Sequence, residues 1–232
     1  MEKREEQLSL NRIARIHTDF PEKFGIPRQS NLIDSLKAKI IFEPQYRNPD
    51  AVRGLEGFSH VWLIWGFLGT KRDSWSPMVK PPRLGGNTRM GVFATRSPFR
   101  PNPLGLSSVT LERVELHPEL GPVLHVAGAD LMDQTPIYDI KPYLAYTDSH
   151  PEASGGFADP VKAYGLVVEF PQELRNKIPE EHHKALAGVL EHDPRPSYQD
   201  DPERIYGLSF AGYNIRFTVK GDVLTVCEVT FM

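Results

Sequence analysis

The sequence contains a single cysteine, Cys227, among its 232 residues. One cysteine cannot form an internal disulfide, and it cannot supply the several thiolates of a cysteine-only zinc site. Cys227 lies inside an alternating apolar run, "DVLTVCEVTF". This position predicts a buried structural thiol and argues against a nucleophile.

Long apolar runs are also missing. No stretch approaches the roughly 18 residues of a membrane span, and the N-terminal "MEKREEQLSL" is charged where a signal peptide would be apolar. A composition of 40% hydrophobic and 25% charged residues is that of an ordinary globular protein. We therefore expect a cytoplasmic protein that does not associate with membranes.

The motifs of several enzyme classes are absent as well. The sequence has no phosphate-binding GK[ST] loop and no GxSxG segment, and its eight histidines show no ligand spacing. Adjacent His182 and His183 would point to different faces of a helix. We expect no bound metal.

The net charge is small, but the charged residues are unevenly distributed along the sequence. The net charge is −3, which gives no global field to attract nucleic acid. Residues 71–113 nevertheless carry eight basic and two acidic side chains, a net charge of +6, whereas residues 151–232 carry −5. The basic segment predicts a face that binds an anionic ligand.

Short alternating apolar runs dominate the first 145 residues and predict β-strands. The fifth run changes the parity of its apolar positions near Arg113, which predicts a β-bulge there. The third run lacks clean alternation and predicts a strand buried on both faces. Without crossover helices the strands must be antiparallel, which favours a barrel or sandwich over a Rossmann sheet. The predicted strands span residues 12–18, 38–43, 60–67, 90–95, 107–116, 122–130 and 136–143.

A change of pattern after residue 148 predicts a second domain. The stretch 147–160 is rich in Ser, Gly, Pro and Asp and is typical of a linker. A strand at 163–170, a helix that starts at Pro179 and a hairpin through Gly221-Asp222 follow. We expect a barrel domain over residues 1–148 and a small α+β domain over residues 160–232.

The segment "GVFATRSPFRPNPLGLS" (91–107) combines rigidity with charge. Its three prolines lack the N–H that a central strand needs, so the segment must be a loop with several fixed φ angles. Such a loop presents Arg96 and Arg100, whose planar guanidinium groups suit carboxylate or phosphate. Gly105 permits close approach of the backbone. We interpret the loop as a ligand-binding element.

Together with three further stretches, this loop resembles the TsaA/TrmO family, also called YaeB-like. The other stretches are "IPRQSN" (26–31), "VRGLEGFSHVWLIW" (52–65) and "DLMDQTPIYDIKPY" (130–143). Members are S-adenosylmethionine-dependent tRNA N6-methyltransferases. The resemblance implies a non-Rossmann β-barrel, a homodimer whose sites are completed near the subunit interface, and methyl transfer to N6 of threonylcarbamoyladenosine at position 37 of threonine tRNA.

The resemblance also implies roles for individual residues. Family motif positions suggest cofactor contacts from one polar and charged set: Arg28, Gln29, Asn31, His60, Arg96, Asp130 and Asp133. The backbone near Leu106, Leu131 and Gln134 is expected to meet the adenine of the cofactor. Many members have glycine where Gln134 stands, so this sequence departs from the family pattern at a turn where glycine would allow a closer approach of the backbone.

Catalysis and RNA binding give two further sets of candidates. The ureido nitrogen of the substrate is a poor nucleophile until it loses a proton, so a base would help. The candidates are Asp139, His60 and Tyr143; Lys141 shares a strand face with Asp139 and could instead form a structural pair with it. Four basic residues are expected to contact the tRNA anticodon stem-loop: Lys80, Arg83, Arg89 and Arg100. The alternatives are a non-catalytic module that binds the cofactor or RNA, and an enzyme acting on a small anion.

Overall fold

The structure, a computed structural model, describes residues 8–68, 75–81, 88–161, 165–195 and 201–232. Arg83 and part of the basic segment therefore lie outside the described residues. The strands are β1 (Ala14–His17), β2 (Lys37–Phe42), β3 (His60–Gly66), β4 (Met78–Val79), β5 (Met90–Gly91), β6 (Leu104–His117), β7 (Gly121–Ala127), β8 (Thr135–Pro142), β9 (Val167–Glu169), β10 (Tyr206–Phe210), β11 (Tyr213–Lys220) and β12 (Val223–Phe231).

Helices are few and short. The α-helices are α1 (Ala145–Asp148), α2 (Gln172–Arg175) and α3 (Glu180–Glu191), and 3-10 turns occupy Pro44–Tyr46, Pro49–Val52, Leu55–Gly57, Val92–Ala94 and Gly156–Val161. Within the described residues, no helix is long and apolar enough to cross a membrane.

Six strands close into an antiparallel barrel in the order β1-β2-β7-β6-β3-β8, which confirms the predicted fold class. Alternate side chains of each strand point inward, and the barrel core is built from residues such as Ile16, Ile40, Leu63, Val109 and Leu124, which are 0% exposed. Closure leaves the strands of the barrel without free edges.

The strand β6 carries the predicted bulge. Its register with β7 shifts between Leu111 and Arg113, where one extra residue changes the parity of the apolar positions. The prediction that β3 is buried on both faces is wrong. Val61 and Leu63 point into the core, whereas Trp62 on the outer face is half-buried, since the Tyr143 ring covers it only in part.

Two other local predictions are also wrong. Residues 90–95 form only the two-residue strand β5 and a 3-10 turn over Val92–Ala94, since Val92 alone turns into the core there. Cys227 is exposed. Leu224 and Val226 take the inward positions of β12, so the next residue faces outward. The pairing with β11 shifts register opposite this point, between Arg216 and Phe217, so the next buried residue of β12 is Val229.

The C-terminal part is a four-stranded sheet with α3 packed against it. The strand order is β10-β11-β12-β9, with β9 parallel to β12 and the other pairs antiparallel. The predicted hairpin between β11 and β12 is confirmed, with Gly221 at φ +58° in the turn. The strand β10 was missed by the sequence interpretation.

The segment between β1 and β2 joins the two parts. Phe20, Ile33 and Leu36 belong to the same buried cluster as the C-terminal sheet and α3. Phe20 meets Phe210 edge-on, with ring centroids 5.3 Å apart. The segment that carries the "IPRQSN" stretch is therefore packed against the C-terminal sheet while its ends continue into the barrel.

Candidate active site

A chain of hydrogen bonds lies at one end of the barrel. The indole Nε1 of Trp65 donates to Ser107 Oγ at 3.0 Å, and Ser107 Oγ donates to Asp130 Oδ1 at 2.7 Å. An indole N–H can only donate, so it leaves the serine hydroxyl proton to point at the carboxylate. Ser107 is 2% exposed. The chain therefore fixes the orientation of the Asp130 carboxylate.

Arg96 and Gln29 complete this cluster. The Arg96 guanidinium donates to Gln29 Oε1 and lies near enough to Asp130 to act on its charge. Burial raises the pKa of Asp130, and the Ser107 hydrogen bond and the Arg96 charge oppose that shift only in part. A partly buried carboxylate beside an exposed guanidinium is an arrangement typical of ligand sites.

Gly105 is required by the packing of Trp65. A Cβ atom on Gly105 would lie 2.2 Å from the Trp65 ring. The close approach predicted for this glycine is therefore made to the indole of Trp65. Since the same indole begins the hydrogen-bond chain to Asp130, Gly105 helps to set the geometry of the cluster.

Asn31 and Arg28 form hydrogen bonds to backbone carbonyl groups of the protein itself. Asn31 adopts a left-handed φ of +60°, its N–H donates to the Gly128 carbonyl at 2.8 Å, and its side-chain amide donates to the Ser108 carbonyl at 3.0 Å. Arg28 donates to the carbonyl of Arg195, in the C-terminal part, at 3.4 Å. Both contacts hold the segment that presents Gln29.

The turn after Asp130 is tied to the end of β1. The buried Leu131 has its carbonyl bound by the Thr18 hydroxyl at 3.0 Å, and Asp133 Oδ1 accepts from the Thr18 N–H at 3.1 Å. Gln134 has a left-handed φ of +65°, and its N–H donates to the Ile16 carbonyl at 2.9 Å. A left-handed φ explains why glycine would suit this position.

Asp139 lies outside the cluster, on the outer face of the barrel. It pairs in register with Ile64, which in turn pairs with Leu106 on the next strand. Asp139 Oδ2 is 2.9 Å from Lys141 Nζ, so the two exposed side chains form an ion pair on this face. Leu106 is 57% exposed on the same face.

His60 and Tyr143 form a separate pair further along β3. Their ring centroids are 6.0 Å apart, and His60 Nδ1 lies 2.9 Å from Ser59 Oγ. His60 and Trp65 are five residues apart on β3, which corresponds to about 17 Å of strand. The structure therefore does not bring His60 and Tyr143 into the Asp130 cluster.

The basic candidates that the structure describes lie on or beside the proline-rich loop. Lys80 and Arg89 are exposed at the ends of β4 and β5. Arg100 is partly buried and donates to the carbonyl of Thr95 at 3.0 Å, which folds it back onto the loop.

The donor set of the Asp130 cluster fits the amino-acid end of S-adenosylmethionine. That end carries a carboxylate and an ammonium, and the cluster offers the Arg96 guanidinium, the Gln29 amide and the Asp130 carboxylate. Among the described residues, no group of three or more His, Cys, Asp or Glu side chains is arranged to hold a metal ion.

The sequence interpretation missed three residues of this region. Trp65 and Ser107 stand inside the quoted motifs, but their role depends on pairing between β3 and β6. Phe93 is 73% exposed, which its apolar neighbours gave no reason to expect.

Comparison with known proteins gives a consistent result over the whole chain. The family described as "tRNA-methyltransferase O N-terminal domain" matches residues 15–149, and the "TrmO C-terminal domain" matches residues 163–232. A tRNA (adenine(37)-N6)-methyltransferase of Escherichia coli (strain K12) is 41% identical over 215 residues, covering 89% of this chain and 91% of that protein.

Two proteins of Pseudomonas aeruginosa extend the comparison. A putative S-adenosylmethionine-dependent methyltransferase named RcsF is 37% identical and covers 95% of this chain and 97% of its own length. The crystal structure of TrmO from P. aeruginosa superimposes with a TM-score of 0.80 at 32% identity and covers 100% of both chains.

Proposed function

This chain belongs to the TrmO family of tRNA (adenine-37-N6)-methyltransferases, and we propose that its substrate is N6-threonylcarbamoyladenosine at position 37 of threonine tRNA. It is a methyltransferase that uses S-adenosylmethionine. This cofactor supplies an electrophilic methyl group on a sulfonium centre. A tRNA substrate is consistent with action in the cytoplasm.

The observation that carries the proposed site is the meeting of Arg96, Gln29 and Asp130. In this assignment the Arg96 guanidinium binds the cofactor carboxylate, and Asp130 binds its ammonium. Ser107 holds the Asp130 carboxylate in one orientation at 2.7 Å, so little ordering is needed when the ligand arrives.

We assign proton acceptance to Asp139, in preference to His60 and Tyr143. Asp139 pairs with Ile64, the neighbour of Trp65, and Trp65 begins the series of hydrogen bonds that leads to Asp130. His60, in contrast, is five positions from Trp65 along β3. Lys141 Nζ at 2.9 Å orients Asp139 Oδ2, the oxygen that would take the N6 proton. Asp139→Asn should lower turnover more than cofactor affinity, and His60→Gln should change neither by more than about threefold.

The family resemblance also supports a homodimer. Leu104 and Leu106 are 37% and 57% exposed on the outer face of β6, beside Ile64. A second copy of the chain would cover this apolar surface. Sedimentation velocity of the purified protein tests this arrangement.

The experiment that tests the function combines labelled cofactor with two RNAs. The protein is incubated with methyl-labelled S-adenosylmethionine and one of two RNAs, and the nucleosides are analysed by mass spectrometry. The first is native threonine tRNA from cells that lack this enzyme, so that its threonylcarbamoyladenosine is unmethylated; the second is the same tRNA transcribed without modifications. Label on threonylcarbamoyladenosine of the native tRNA alone supports the proposal. Label on unmodified adenosine, or on neither RNA, contradicts the proposed substrate.

Matched arginine variants test the site. Arg96→Ala should weaken cofactor binding at least about tenfold by calorimetry, because a charge-assisted contact is lost. Arg53→Ala is the control, since Arg53 is 79% exposed and pairs only locally with Asp50. Equal affinities of the two variants would remove Arg96 from the site.

A further inference from the structure

Two aromatic side chains stand exposed beside the proline-rich loop. Trp75 is 48% exposed and Phe93 is 73% exposed, and their rings are stacked with centroids 6.3 Å apart and an interplanar angle of 26°. Exposed large apolar side chains that lie side by side mark interaction sites more often than isolated ones do. We call Trp75 and Phe93 the aromatic pair.

The backbone around the aromatic pair is fixed on both sides. β4 and β5 pair through Met78 with Gly91, and the Val92 N–H donates to the Pro77 carbonyl at 2.9 Å. Val92 is 1% exposed, so the residue next to Phe93 anchors the turn in the protein. The exposure of Phe93 is therefore a property of an ordered turn, whose inward position is taken by Val92.

The charged side chains of the stretch from Trp75 to Arg100 are all basic. Residues 75–100 contain no Asp or Glu, while Lys80, Arg89, Arg96 and Arg100 lie in the described parts of this stretch. The guanidinium carbon of Arg100 lies 6.0 Å from the Phe93 ring centroid. An aromatic surface with a cation beside it, in a basic stretch of chain, is complementary to a nucleobase that is followed by its phosphate.

The pair lies close to the proposed cofactor site along the chain. Phe93 and Arg96 are three residues apart, so at most about 11 Å of extended backbone separates them. A base that stacks on Phe93 would thus stand beside the residues that hold the cofactor.

We propose that the aromatic pair is a stacking platform for one unpaired base of the tRNA anticodon loop, with Arg89 and Arg100 near the adjoining phosphates. This assignment rests on the proposed function, since it names the surface on which the RNA substrate is held. It predicts that RNA binding requires aromatic side chains at these two positions and does not depend on which base stacks on them.

The test measures binding of a fluorescently labelled anticodon stem-loop RNA at several salt concentrations. Phe93→Ala and Trp75→Ala should each weaken binding at least about fivefold while the slope of log K against log salt stays the same, because stacking releases no counterions. Trp75→Phe keeps an aromatic face and should bind like the parent. Arg89→Gln should instead make the slope shallower by about 0.7, the value for one phosphate contact on a single strand.

Controls separate the platform from folding and from a contact between subunits. Phe231→Ala removes an aromatic side chain that is 79% exposed on the C-terminal sheet and should leave RNA binding unchanged. Thermal melting and sedimentation velocity of each variant check stability and oligomeric state. A change of oligomeric state in Phe93→Ala would overturn the proposal by making the pair a contact between copies of the chain.

The outcome can be distinguished from failure of the proposed function. If the parent protein methylates tRNA but Phe93→Ala and Trp75→Ala bind the stem-loop as well as it does, the platform is wrong and the function stands. If the parent does not methylate tRNA and the variants also bind RNA normally, both fail. A stem-loop in which single loop bases are replaced by abasic sugars should lose affinity at one position only.

Discussion

Ser107 on β6 and Asp130, three residues beyond the end of β7, are joined by a hydrogen bond of 2.7 Å in which the hydroxyl donates to the carboxylate. The indole of Trp65 satisfies the serine oxygen from the other side at 3.0 Å. The carboxylate is thereby oriented before any ligand binds. Burial of this charge destabilises the folded protein, and the proposed binding of a cationic group offsets that cost.

Asp130→Asn should make the ligand-free protein more stable at neutral pH. The raised pKa means that the folded state binds the proton more tightly than the unfolded state. Stability of the parent therefore falls as pH rises from the ordinary value of 3.8 through the raised pKa, and the penalty is complete above it. Thermal melts between pH 3 and pH 7 should show the difference disappear at the acidic end. A parent that is the more stable one at pH 7 would contradict this.

Gly105→Ala should displace the Trp65 indole. The new Cβ would lie 2.2 Å from the ring, and relief of such overpacking costs about 1–3 kcal/mol. Gly57→Ala is the control, because no atom lies within 4 Å of the Cβ position there and a change within about 0.5 kcal/mol is expected. Urea unfolding gives the stabilities, and the tryptophan fluorescence, to which Trp62, Trp65 and Trp75 all contribute, should change only in the first variant. Similar unfolding free energies for the two variants would show that the indole of Trp65 can move away from residue 105 without destabilising the protein.

Phe20→Ala should weaken the packing between the barrel and the C-terminal sheet. Phe20 is 1% exposed and contacts Phe210, so its removal should cost about 3–5 kcal/mol of unfolding free energy. It should also weaken cofactor binding, because the segment that presents Gln29 follows it. The exposed Phe231 is the matched site, where alanine should cost less than about 1 kcal/mol. Full cofactor affinity in folded Phe20→Ala protein would show that Gln29 is held independently of this packing.

Gln134→Gly should be more stable than Gln134→Ala by about 0.5–1 kcal/mol, because both lose the side-chain amide but only alanine keeps a Cβ at a φ of +65°. At Gln172, which begins the helix α2, the alanine variant should instead be more stable than the glycine variant. Chemical denaturation of the four variants measures both differences. The same order at both positions would show that the left-handed backbone contributes nothing.

Local pattern was enough to predict most of the barrel. Alternation with a period of two determines which side chains share a face of a strand, so the strands and the bulge near Arg113 followed from the positions of apolar residues. The prediction for Cys227 was wrong because it relied on the apolar run as a whole; Leu224 and Val226 face inward, so alternation itself places Cys227 outward. The prediction for β3 was wrong because apolar side chains such as Trp62 can lie on an outer face that is only partly covered.

What the sequence by itself determined was the helix-poor barrel and the set of charged and amide side chains that a ligand would need. Only the tertiary structure decided which of them meet: Arg96 reaches Gln29 across 67 positions, while Asp139 pairs with Lys141 on the outer face. Periodicity reports the direction of a side chain relative to its neighbours in the chain. Which strands become adjacent depends on closure of the whole barrel and on packing of residues 19–36 against the C-terminal sheet, and these are sums of many distant contacts.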